Sequence, residues 1–200
     1  MSNRQTGLRK DEHVRINLEE DVSFDQVTTG LEHFRFTHQA VPECDLADVD
    51  TAADFLSHRL TFPLLIASMT GGTQWTGDIN RVLAEAAQAA GIGMGLGSMR
   101  VLLEEPETAI TFQVRRYAPD ILLLANLGAV QLNYGYGPDD CRRIVELVEA
   151  NGLFLHLNPL QEALQPEGNT RFGGLLRRTE AVCRVLEVPV IVKEVGAGLS

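Results

Sequence analysis

The sequence is short of long apolar runs, of basic residues and of cysteine, and each shortage excludes a class of protein. No apolar run approaches the roughly 20 residues that a membrane span needs. Residues 1–21 are charged throughout, without the apolar stretch of an export signal. The chain is therefore expected to be neither exported by a visible signal nor embedded. Lysine and arginine number 17 against 27 acids, a formal net charge of -10, so no long-range field draws in nucleic acid or an anionic membrane, and neither is expected as a partner. A polyanionic ligand must instead be gripped by local cations. Cys44, Cys141 and Cys183 are far apart, form no C-x-x-C pair and leave one over, which argues against a disulfide framework or a zinc site and fits a reducing cytoplasm.

What is present is the composition of an ordinary globular domain: 200 residues, 44% of them hydrophobic, enough to bury a sizeable core. From residue 64 onward, short apolar runs at 64–69, 92–96, 121–126, 153–157 and 190–194 alternate with helical patterns, and these five runs are read as strands. Asp78 is expected to cap a helix whose alanine-rich body ends at Gly91. Pro106 is expected in the first turn of a second helix carrying Ile110, Val114 and Tyr117. A third helix follows Pro138 with Cys141, Ile144, Val145 and Val148 on one face. A fourth places Leu175, Leu176, Thr179, Val182, Cys183 and Leu186 together.

Strands apolar on both faces and separated by amphipathic helices imply parallel pairing, either in an open doubly wound sheet or in a (β/α)8 barrel. Periodicity alone does not choose between them. Residues 1–63, polar and without strong period, are read as a leading arm and cap, and residues 64–200 as the strand-bearing part.

The residues suited to chemistry fall where these strands end, and in α/β folds the carboxyl ends of the strands host the ligand. Met69-Thr70-Gly71-Gly72 closes the first strand with amides and permissive glycines that can follow a ring edge or a phosphate, although alone it is only a Gly-rich turn. Gly91-Ile92-Gly93-Met94-Gly95-Leu96-Gly97-Ser98 leaves one face of a strand bare. A flat ring could approach there, but the favoured reading is that the glycines admit a tightly packed neighbour. Asn126 closes Leu-Leu-Leu-Ala-Asn, a place where a turn-forming cap is also ordinary.

At the fourth strand His156 and Asn158 share a face, and Pro159-Leu160-Gln161-Glu162 leads the chain away. A lone strand histidine is usually a bonded core residue, but four polar groups converging at one strand end weaken that explanation. Lys193 sits among valines and isoleucine, where an ammonium needs an anion or a dipole to offset its desolvation, with a partner carboxylate as the alternative and Glu194 turned to the opposite face. Arg9, Lys10 and His13 put three potential cations within one helical turn, suited to a diphosphate but also common on solvated surface, and Arg100 adds another.

Taken in order, Arg9-Lys10-Asp11-Glu12-His13, Met69-Thr70-Gly71-Gly72, Leu96-Gly97-Ser98-Met99-Arg100, Asn126-Leu127-Gly128, His156-Leu157-Asn158-Pro159-Leu160-Gln161-Glu162 and Val192-Lys193-Glu194-Val195-Gly196 closely resemble type 2 isopentenyl-diphosphate isomerase over nearly the whole chain. Each motif is weak alone. The order makes the set specific, and Gln165-Pro166-Glu167-Gly168 continues it, while Asn169 and Arg171 stand where the family pattern has acidic residues.

The resemblance implies a flavin-binding TIM (β/α)8 barrel of the α/β class, cytoplasmic, a homo-oligomer at full length, that interconverts isopentenyl and dimethylallyl diphosphate with reduced FMN, Mg2+ and NADPH as reductant. By that similarity Ala67, Ser68, Met69, Thr70, Ser98, Asn126 and Lys193 would hold FMN. Arg9, Lys10, Ser98, Met99, Arg100, His156, Asn158 and Gln161 would contact the substrate, and Glu162 would bind magnesium. The acid and base role falls chiefly to reduced flavin, with Gln161 orienting and assisting proton removal. Another FMN barrel, such as a 2-hydroxy-acid oxidase, and a noncatalytic half-barrel subunit are the alternatives. A barrel of this type takes about 250 residues, so the chain is expected to stop after about the fifth strand and to be inactive alone.

Overall fold

The computed structural model describes residues 4–196, Gly198 and Leu199, with the side chains of residues 4–10 outside that description. Helix α1 (Arg4–Glu19) leads, and the chain then runs through two short 3-10 turns to an antiparallel hairpin of β1 (Ala53–Phe55) and β2 (His58–Leu60). Five strands follow: β3 (Leu65–Ile66), β4 (Gly93–Gly95), β5 (Leu123–Gly128), β6 (Gly152–His156) and β7 (Val190–Lys193). Each overlaps the apolar run expected for it. Between them lie α2 (Gln74–Ala90), α3 (Arg100–Glu104) with the 3-10 segment Pro106–Thr111, α4 (Pro138–Leu147), α5 (Pro159–Leu164) and α6 (Leu175–Val185).

Strand order answers the question that periodicity leaves open. A doubly wound sheet reverses its order at a switch point. Here every strand pairs in parallel with the next one in the chain, from β3 through to β7. That is the arrangement of a TIM barrel, of whose eight strands this chain supplies five.

The register sets two faces. The pairs Asn126↔Phe154, Gly128↔His156, Phe154↔Ile191 and His156↔Lys193 turn these residues to one side. Low on that face, Leu122, Leu124 and Phe154 pack with Leu60 of the hairpin and with Leu56, Leu65 and Ile191. The hairpin thus closes the amino end of the arc. Nothing in the sequence announces it, because its strands are three residues long and its turn residues Leu56 and Ser57 take positive φ of 48° and 62°, a geometry usually marked by Asn-Gly. On the opposite face Met94, Leu96, Leu123, Ala125, Leu127, Leu153 and Leu155 meet the helices through Ala84, Ala87, Cys141, Ile144 and Val182.

Three helical expectations need correction. Asp78 lies inside α2 rather than capping it. The cap is Thr73, whose Oγ1 accepts from the Thr76 amide at 3.2 Å while its own amide donates to Thr76 Oγ1 at 3.0 Å, so the helix begins a turn earlier. The segment opened by Pro106 stops at Thr111 and does not continue through Tyr117. The Thr111 carbonyl accepts from Asn80 Nδ2 at 2.9 Å, taking the acceptor that an α-helix would offer to residue 115. On α6 the covered stripe is Leu175, Thr179, Val182 and Leu186. Leu176 is 87% exposed and Cys183 is exposed, each standing one residue off that stripe.

The glycines of β4 make room for the chain itself, which is the favoured reading of that motif. A Cβ on Gly95 would lie 2.3 Å from Ser68 Oγ and 2.9 Å from the Phe154 ring, and one on Gly97 would lie 2.4 Å from the Thr70 carbonyl oxygen. That carbonyl also accepts from the Gly97 amide at 2.9 Å, so neither group can retreat. Gly97→Ala is therefore expected to lower the unfolding free energy by roughly 1–3 kcal/mol. Gly173→Ala, with open space at its Cβ position, should stay within about 0.5 kcal/mol of the parent. Urea unfolding measures both, and equal losses would refute the close approach.

Candidate functional site

A cleft of about 250 Å³ opens at the carboxyl ends of the five strands. The end of β3 contributes Ser68 and Met69, the turn after β4 contributes Ser98 and Arg100, and β5 contributes Asn126. His156 ends β6, Asn158, Gln161 and Glu162 follow it around α5, and Lys193 ends β7. His13 reaches the same cleft from α1, which is tied down by a hydrogen bond from Thr73 Oγ1 to Asp11 Oδ1 at 2.6 Å.

Asn126 Oδ1 can only accept, so the 2.8 Å contact with His156 Nδ1 places the ring proton on Nδ1 and leaves Nε2 as an acceptor. Burial, helped by the positive charge of Lys193 and opposed by Glu162, pushes the His156 pKa down to about 4. The imidazole is neutral at physiological pH. The ring presents a lone pair at Nε2 and supplies no positive charge.

Glu162 is buried at 6% exposure. Its Oε1 accepts from Asn158 Nδ2 at 3.1 Å and its Oε2 from the Asn169 amide at 2.6 Å. Asn169 acts through its backbone, so its unusual side chain leaves this contact intact. Arg171 donates its amide to Tyr134 Oη at 3.2 Å and stacks its guanidinium 5.3 Å from that ring. Among the described residues no group of three or more His, Cys, Asp or Glu side chains gathers to hold a metal. A hard divalent cation at Glu162 would have to complete its shell with ligand oxygens and water, the usual habit of magnesium.

Other expected site residues fall outside the cleft wall. Ala67 is exposed beside it. The Thr70 hydroxyl turns to the helices and donates to Asn80 Oδ1 at 2.5 Å. Met99 is fully buried, with its amide donating to the Asn126 carbonyl at 2.8 Å. The side chains of Arg9 and Lys10 lie outside the described residues. Conversely, Gln131 lines the cleft at 6% exposure, although it belongs to none of the strand-end motifs. A polar residue within the otherwise apolar Ala129-Val130-Gln131-Leu132 could have pointed to it.

Ser68 supports a ligand at the first strand. It is 5% exposed, and its Oγ has no hydrogen-bond partner. A buried hydroxyl left unbonded costs about 1–3 kcal/mol, and a polar ligand edge at this strand end would satisfy it. With the Lys193 ammonium and the Asn126 amide on the same rim, the residues present fit an anionic, hydrogen-bonding ring system.

The family model of FMN-dependent dehydrogenases matches residues 8–116, more than half of the chain. The chain belongs to the FMN-dependent dehydrogenase family. Within it, the chain is 55% identical over 196 residues to the isopentenyl-diphosphate delta-isomerase of Nostoc sp., covering 98% of this chain and 56% of that protein. The enzymes of the same name from Synechocystis sp. and Rickettsia felis are each 55% identical, covering 98% and 96% of this chain and 56% and 55% of theirs. The chain thus spans about half the length of the curated relatives it matches. A mandelate oxidase variant with a monooxide FMN adduct overlays with a TM-score of 0.48 at 18% identity, over 74% of this chain and 45% of that one.

The pKa of His156 can be tested directly. Its folded value lies below the unfolded 6.5, so this family member should lose stability as pH falls from about 6.5 toward 4, by up to roughly 3 kcal/mol. An imidazole proton titration followed by NMR should show a midpoint near 4. Lys193→Met should raise that midpoint while burial keeps it below 6.5. A parent midpoint near 6 would contradict the assignment.

Proposed function

We propose that the chain carries the active-site face of an isopentenyl-diphosphate isomerase that moves the double bond to give dimethylallyl diphosphate, with reduced FMN, Mg2+ and NADPH as reductant. In this reading residues 1–63 are an arm and cap, and residues 64–200 hold the site on the first five strands of the barrel. The observation that carries it is the convergence of Ser98, Arg100, Asn126, His156, Asn158, Gln161, Glu162 and Lys193 on one cleft. The free cysteines suit a cytoplasmic setting.

Reduced FMN, when bound, supplies the electron-rich ring and the proton that addition to an unactivated alkene demands. The chain's own residues do the rest. Ser68, Met69, Ser98 and Asn126 hold the polar ring edge, with Ala67 and Thr70 shaping the turn beside it, and Lys193 offsets negative charge there. Arg100 grips the diphosphate with Arg9 and Lys10 from α1, and Glu162 holds the magnesium that neutralises it further. Met99, its side chain buried and its amide bound to the Asn126 carbonyl, holds the turn that presents Ser98 and Arg100. His156 offers its Nε2 lone pair, and Gln161, whose Oε1 accepts from Asn158 Nδ2 at 3.2 Å, orients the substrate and assists proton removal.

The test joins this chain to the complementary remainder of the Nostoc relative and assays the fusion anaerobically with FMN, Mg2+, NADPH and isopentenyl diphosphate. The allylic isomer is the expected product, and Glu162→Gln should cut its rate by about 10²-fold or more. Oxygen uptake with a 2-hydroxy acid and no isomer would instead favour an oxidase. A flavin-loaded fusion that forms no isomer overturns the proposal.

A further inference from the structure

Beyond the expected site lies a chain of contacts that joins two strand-end loops. Arg100 opens α3 and lines the cleft, and its Nε faces Glu104 Oε1 at 3.5 Å, one helical turn along. Glu104 Oε1 also accepts from Tyr136 Oη at 2.7 Å. Tyr136 belongs to the segment between β5 and α4, so the contact spans from one crossover to the next. The ion pair is well shielded, with side chains 22% and 31% exposed. Neither Glu104 nor Tyr136 lines the cleft.

A guanidinium on a three-carbon stem is costly to immobilise, and an arginine held in place before its ligand arrives loses less entropy on binding. The Tyr136 hydroxyl is half-buried. Desolvation, followed by the Glu104 carboxylate, raises its pKa, so it remains a donor across the physiological range.

We propose that Tyr136 and Glu104 are positioning residues that hold the Arg100 guanidinium at the cleft for an anionic group of the diphosphate class. The role rests on the diphosphate reading of the cleft. Pairing through Nε directs the other edge of the guanidinium away from Glu104, which is how an arginine can be braced by one carboxylate while serving another anion. Tyr136→Phe is the informative change, because it removes the brace without altering the charge around Arg100. Glu104→Ala would also remove a negative charge and so mix two opposing effects.

Two readouts separate the brace from the ligand. In ligand-free protein, the Arg100 Nε–H resonance should shift and broaden in Tyr136→Phe and be largely retained in Glu104→Asp. An unchanged resonance in Tyr136→Phe overturns the positioning role whatever the ligand. Calorimetric titration with inorganic pyrophosphate in the absence of divalent metal should then show a three- to tenfold weaker affinity for Tyr136→Phe. In an Arg100→Ala background the same substitution should cause no further loss. A full additional loss there would mean that Tyr136 is merely structural and would refute the proposal. Failure of the parent protein to bind pyrophosphate, with the resonance responding as expected, would sink the diphosphate reading and leave the brace standing as a contact without that ligand.

Discussion

In-register pairing of β6 with β7 is the constraint on which the site depends. His156 lies beside Lys193 and Phe154 beside Ile191, so one face of the sheet is apolar low down and polar at the rim. A slip of one residue would turn the lysine out of the cleft and a valine into it. The register is held from both sides. Phe154 packs with Leu60, Leu122 and Leu124 on the inner face, while Leu153 and Leu155 are fully buried against the helices on the outer one. The same alternation that buries the core therefore aims the functional groups.

Electrostatics at the rim are local, as the acidic composition requires. With a formal net charge of -10, the chain as a whole repels anions, and among the described side chains Arg100 and Lys193 supply short-range positive charge at the cleft. His156 does not join them, because burial and the neighbouring ammonium keep its ring neutral. Neutrality makes it directional: Asn126 holds Nδ1, and the free lone pair of Nε2 stands close to Gly128, whose missing Cβ would meet it at 3.1 Å. A larger residue at position 128 would crowd that lone pair.

The strands and their order of appearance were legible because each combines an apolar run with a polar residue at its carboxyl end, and most of the cleft followed from reading those ends together. Other features were hidden for physical reasons. The β1–β2 hairpin uses Leu56 and Ser57 where turn-forming residues are the usual signal. The start of α2 is set by a reciprocal Thr73–Thr76 pair, which a search for an acidic cap passes over. The end of the Pro106 segment is decided by Asn80, 31 positions away from Thr111, and no local pattern carries that information. Met99 sits in a motif rich in polar neighbours, yet its side chain is core, so a motif's position did not reveal which of its members face the ligand.

The glycine strand narrows where a flat ligand can lie. Had the bare face of β4 been open, a ring could have stacked along it. Instead, the Cβ positions of Gly93, Gly95 and Gly97 are occupied by Leu65, by Ser68 with Phe154, and by the Thr70 backbone, so the strand's own neighbours fill the space. The open space of the cleft lies beyond this layer, where Ser98, Asn126 and His156 line it. At that level Ser68 Oγ, buried and without a partner, stands at the boundary between packed interior and cleft. Glycine here brings the strands close enough for the chain to build the floor of the cleft from its own side chains and backbone.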